Sequence, residues 1–130
     1  MEKRRTGLRL ALAAAGLALA GVACACEPAL QGTRLESPRF VLAYKPEPIA
    51  VAQHFALEIA VCSKAPGPIE SVKVDAYMPE HRHGMNYEPE VKALGPGRWR
   101  AEGLMLHMPG RWEFVFDLGA ERLTHSVRIE

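Results

Sequence analysis

From residue 40 onward, apolar and polar positions alternate with period two in short runs bounded by proline and glycine, which is the pattern of half-buried strands. Phe40, Leu42 and Tyr44 form one such set, ended by Pro46 and Pro48. Phe55, Leu57, Ile59 and Val61 form the clearest inward face. After Pro66-Gly67-Pro68 come Val72, Val74, Ala76 and Met78, interleaved with Lys73, Asp75 and Tyr77. A weaker strand around Val91 reaches Gly95-Pro96-Gly97, and the stretch Trp99 to His107 continues to Pro109-Gly110. Trp112, Phe114, Phe116 and Leu118 follow, and Gly119-Ala120 turns the chain into Leu123, His125, Val127 and Ile129. No stretch beyond residue 26 holds helical spacing for three turns. About seven strands at this spacing predict an all-β fold, an antiparallel β-sandwich of immunoglobulin-like or cupredoxin-like architecture.

The N-terminus is patterned differently. Lys3, Arg4, Arg5 and Arg9 precede an uncharged run from Leu10 to Ala23, which is shorter than the about 20 residues a spanning helix needs. A basic start, a short apolar centre and small residues before a cut read as a secretory signal over residues 1–25. Ala23-Cys24-Ala25 fits an ordinary cleavage site, while Gly21-Val22-Ala23-Cys24 resembles a lipoprotein box that would lipidate Cys24. Residues 26–130 then form a single exported domain, in the periplasm or on the outer face of the cell envelope. Export places thiols where they oxidise, so Cys26 and Cys62 are natural partners. The competing reading is a lipidated Cys26 and a free Cys62.

Composition narrows the function classes. The chain of 130 residues has a formal net charge of +1 and 48% apolar residues, ordinary for one globular domain. Its cations cluster only in the N-terminal segment, so the remainder is slightly acidic and offers no basic face for phosphates. There is no glycine-rich phosphate loop and no Ser-His-Asp or Cys-His nucleophile arrangement.

Soft ligands are unevenly placed. Met78, Met85, Met105, Met108, His81, His83 and His107 all fall between residues 78 and 108. In an extended chain His81, His83 and Met85 would project from one face. Imidazole suits several transition metals, but thioether sulfur is soft and favours Cu(I). His107 and Met108, beside the Pro109-Gly110 turn, could supply a second contribution, with His107 the first choice because regular alternation sends the pair to opposite faces. Met78 continues the register of Val72 and Val74 and reads as core. Met105 shares the register of Trp99 and Ala101 and reads as packing. His125 reads as a hydrogen-bonded core histidine, and His54 as a residue preceding a strand.

Three blocks carry a family resemblance: residues 78–87 (Met-Pro-Glu-His-Arg-His-Gly-Met-Asn-Tyr), residues 97–104 (Gly-Arg-Trp-Arg-Ala-Glu-Gly-Leu) and residues 107–114 (His-Met-Pro-Gly-Arg-Trp-Glu-Phe). Together they resemble the YtkA-like family of exported bacterial domains, relatives of FixH-type accessory domains. The resemblance implies a sandwich-like fold and, by association, copper handling or oxidase maturation. A looser similarity extends to periplasmic Cu(I) chaperones, whose methionine-to-histidine spacing is matched by Met85 and His107. Those proteins continue with His-x-Met, whereas here His107 and Met108 are adjacent.

The reading that unites these features is an exported copper-binding protein, not an enzyme, that passes Cu(I) to an acceptor protein in the envelope. Its ligands are His83, Met85 and His107, with His81 as a fourth ligand or the one that admits Cu(II), and Met108 as an alternate. Two other classes compete. His81-x-His83 followed by Glu88 and Gly95 looks like the first metal motif of cupins, although Asp75 stands where a glycine is expected and no second motif follows. A metal-free interaction module would instead present Tyr87, Trp99 or Trp112 as exposed anchors.

Overall fold

The structure is a computed structural model that describes residues 26–130. The segment read as a secretory signal, with Cys24, lies outside the described residues. The strands are β1 (Thr33–Glu36), β2 (Phe40–Pro46), β3 (His54–Ser63), β4 (Lys73–Met78), β5 (His83–Gly84), β6 (Glu90–Gly95), β7 (Arg98–Met105), β8 (Gly110–Asp117) and β9 (Arg122–Ile129). They form two antiparallel sheets, ordered β1-β2-β3-β7-β6 and β5-β4-β8-β9, and no helix occurs among the described residues.

The fold is therefore the antiparallel sandwich that the alternation predicts, with two strands more than expected. Both additions are short. β1 (Thr-Arg-Leu-Glu) has a single large apolar residue, and β5 is only His-Gly. Neither is long enough to show a period.

The inward positions build one core. Leu42, Tyr44, Leu57 and Ile59 from one sheet meet Val74, Ala76, Trp112, Phe114 and Phe116 from the other. The Tyr44 ring lies edge-on to Phe114, with centroids 5.6 Å apart, and tilts against Phe116 at 4.9 Å. Its hydroxyl is hydrogen-bonded to His125 Nδ1 at 2.6 Å, so the half-buried His125 is paired within the sandwich as its register suggested. Burial of the Tyr44 phenol holds its pKa above the ordinary value. Met78 is fully buried, as its register required, and packs where a Cβ on Gly110 would come within 2.6 Å of its terminal methyl.

Met105 does not follow its expected register. Leu57 pairs with Ala101 and Phe55 with Leu104, so three steps on β7 match two on β3. That β-bulge admits one extra residue around Gly103, whose φ is +82°, a conformation glycine adopts without strain. Beyond it Leu104 and Leu106 turn inward and are fully buried. Met105 is left opposite His54, outside the core.

The sandwich has two distinct ends. His54 pairs with Met105 at one end of β3, while Cys62 and Ser63 pair with Val41 and Phe40 at the other, about 30 Å away at strand rise. Cys26 and Cys62 form a disulfide, with Cα atoms 5.6 Å apart and a sequence separation of 36, so Cys62 is not free. The bridge closes a long loop in the unfolded chain. Replacing both cysteines by serine is expected to lower the unfolding free energy by about 4 kcal/mol on the chain-entropy account. Urea titration checks this, and equal stability would mean that the bridge does not constrain the unfolded chain.

Candidate metal centre

Apart from His125, the described histidines and methionines gather at the end opposite the disulfide. His83 pairs with Met78 across β4–β5, and the Met85 amide donates to the carbonyl of Ala76 at 3.2 Å. Met78 and Ala76 both face the core, so His83 and Met85 share the inward side at the sheet edge, as the i, i+2 spacing suggested. Met85 packs against the core.

His81 joins them by a different route. Residues 79–82 are not extended but form a turn, with His81 N–H donating to Met78 O at 3.2 Å. Arg82 takes φ +54°, in the left-handed region, and the chain then re-enters β5 with the His81 and His83 ring centroids 5.7 Å apart. Arg111 donates from Nε to Glu80 at 3.4 Å and ties this turn to β8. His81 is exposed and His83 half-buried.

His107 comes from the other sheet. It lies past the end of β7, in a loop held on both sides. The Ala52 amide donates to Leu106 O at 2.8 Å, and Trp112 Nε1 donates to Met108 O at 3.0 Å. The His107 ring is 5.0 Å from His83. An imidazole nitrogen binds a first-row ion at about 2.0 Å, which sets two rings on one ion with centres about 4.5–6 Å apart. The observed spacing falls in that range. Trp112, fully buried, stands edge-on beneath both rings at 5.3 Å from His107 and 5.9 Å from His83. It closes the inner side of the pair with apolar surface.

The nitrogen inventory of the two rings is specific. His83 Nδ1 lies 3.2 Å from Gly84 O. A carbonyl only accepts, so Nδ1 carries the proton and Nε2 of the neutral ring is a free donor of electrons. His107 Nδ1 is buried and has no hydrogen-bond partner. Such an orphan costs about 1–3 kcal/mol, and a bound ion would satisfy it. Met108 packs against the core beside this loop, so His107 and Met108 need not follow strand alternation.

Among the described residues, no group of three His, Cys, Asp or Glu side chains is placed to hold a metal ion. The cupin-like grouping of His81, His83 and Glu88 is therefore not assembled. The thioethers nearest to these histidines in the chain are Met85, two residues after His83, and Met108, next to His107, and both pack against the core.

The sequence reads His54 as a residue preceding a strand and Tyr87 as an exposed anchor, and the contact between them is new. His54 opens β3, and its ring meets Tyr87 edge-on at 5.1 Å, linking the segment after Met85 to the other sheet. Of the aromatic anchors considered, Trp112 is buried, Trp99 is partly buried against the core, and only Tyr87 is exposed.

A β-sandwich with imidazoles and thioethers collected at one end is the class of protein that the fold and this cluster define. The chain belongs to the YtkA-like family, whose model matches residues 35–116. That match takes in β2 to β7, β8 as far as Phe116, the 78–87 block and the His107 loop, and stops before β9. No curated protein and no solved structure matches the chain.

The left-handed Arg82 is what places His81 beside His83, and it is testable. Arg82→Gly should stay within about 1 kcal/mol of the parent, whereas the β-branched Arg82→Val should lose about 1–2 kcal/mol. Urea unfolding measures both, and equal stability of the two variants would contradict this turn conformation.

Proposed function

We propose that this end of the sandwich binds Cu(I), and that the protein is an exported copper carrier that hands the ion to an acceptor protein in the cell envelope. The observation that carries the reading is the buried, partnerless Nδ1 of His107, 5.0 Å ring to ring from a histidine whose own Nδ1 proton is already engaged. Met85 on the same inward side supplies a soft sulfur, which separates Cu(I) from zinc or magnesium. The inner position is thus His83, His107 and Met85, with Met108 as an alternate thioether and His81 outside it.

Transfer by ligand exchange suits this arrangement. A thioether is a weak, flexible ligand, and an incoming thiolate or thioether can displace it while the two imidazoles still hold the ion. The rigid loop around His107 keeps the vacated site formed. Carriage of an ion involves no bond-making on an organic substrate, and the protein is read as a non-enzyme. The signal-like segment over residues 1–25 supports placement in the periplasm or on the envelope surface.

A metal-free interaction module is the second reading. It draws on Tyr77 and Tyr87, 39% and 51% exposed, which line a surface groove beside the outer face of β4 and β8.

Competition against a chromophoric Cu(I) chelator, with ascorbate as reductant so that the disulfide survives, separates the readings. The parent protein should take up one Cu(I) per chain. His83→Ala, His107→Ala and Met85→Leu should each weaken binding by about tenfold or more, with folding retained. Unchanged affinity in Met85→Leu would remove Met85 from the site, and failure of the parent to compete would favour the interaction module.

A further inference from the structure

The three rings at this end are graded in depth. His81 stands exposed on the turn, His83 is half-buried, and His107 presents a buried nitrogen without a partner. His83 is 5.7 Å from one neighbour and 5.0 Å from the other, and each spacing lies within the about 4.5–6 Å open to two imidazoles on one ion. Yet among the described residues no three such side chains are placed to hold a single ion. The geometry is therefore two overlapping pairs with His83 common to both, rather than three rings around one centre.

We infer that His81 and His83 form an outer acceptance position, from which Cu(I) steps to the inner position made by His83, His107 and Met85. The inference rests on the reading of this end as a Cu(I) site. In the step, His83 keeps its bond, the bond to a His81 nitrogen breaks, and bonds to a His107 nitrogen and the Met85 sulfur form, taking the ion from two ligands to three. The ion stays Cu(I), and with all three rings neutral no proton is released or taken up. The inner position adds a soft sulfur and withdraws the ion from water, so the ion rests there and the outer pair is a passage.

The turn is built for such a role. Arg82 accepts a left-handed backbone, the Glu80–Arg111 pair fastens the turn to β8, and His81 N–H is bound to Met78 O. A histidine held in place at the rim, with its ring over a half-buried one, is positioned to meet an ion before the deeper ligands can. A partner that delivers or removes copper would reach the ion at His81.

Equilibrium and rate separate this role from its rivals. The probe is Cu(I) presented on a chromophoric chelator and mixed in stopped flow with the parent, His81→Ala and His107→Ala. His81 is exposed, so its replacement should leave the unfolding midpoint unchanged. His81→Ala should keep the equilibrium affinity within about threefold while slowing uptake and release by the same factor, about tenfold. His107→Ala should lose affinity itself. Unchanged rates in His81→Ala would overturn the relay and make His81 a solvated bystander. A loss of affinity equal to that of His107→Ala would overturn it in favour of a single three-imidazole site. No uptake by the parent would overturn the copper reading, and the relay with it, before any variant is compared.

Discussion

The alternation of β7 is shifted by one residue at Gly103, and what reaches the histidine end depends on that shift. Continued from Trp99 and Ala101, a regular strand would turn Met105 and His107 toward the core. The bulge instead sends Leu104 and Leu106 inward, where they are fully buried. His107 is released into a short loop at the rim. Two aliphatic side chains seal the sandwich, each worth about 1.5–3 kcal/mol when fully buried. The imidazole is left at the boundary between core and solvent, where a nitrogen can be buried without being packed away.

The loop is then made rigid by groups that have nothing to do with metal. Trp112 is held by its place in the core, and its indole N–H fixes Met108 O; Ala52 fixes Leu106 O from the other side. Both backbone carbonyls flanking His107 are satisfied, while its side-chain Nδ1 is not. Buried polar groups are otherwise paired almost without exception, and that sets the His107 nitrogen apart among the described residues. The disulfide sits at the other end, so Cys26 is tied to the sandwich away from the His83–His107 pair.

Much of this was legible in the sequence. The seven longer strands fall where alternation puts them, and the inward residues follow period two except in β6, where Val91 alone is partly buried, and in β7 beyond Gly103. β1 and β5 were invisible because a strand with one large apolar residue, or of two residues, carries no period. Extended-chain spacing groups His81, His83 and Met85 on one face. The structure keeps that spacing for His83 and Met85, but it brings His81 alongside through a turn with a left-handed arginine, which no propensity suggests. Alternation carried straight through Gly103 puts Met105 in the core, whereas that glycine marks a bulge, as a single glycine inside a strand can. The contact of His54 with Tyr87 joins the start of β3 to the loop between β5 and β6, and no local pattern encodes it. Nor could the sequence show that His107 would lack a partner.

X-ray absorption at the copper edge of the Cu(I)-loaded protein tests the central claim most directly. The account predicts a three-coordinate first shell of two imidazole nitrogens, at about 2.0 Å as in other first-row sites, and one sulfur, with the sulfur lost in Met85→Leu. A shell of nitrogen and oxygen alone in the parent protein would contradict it.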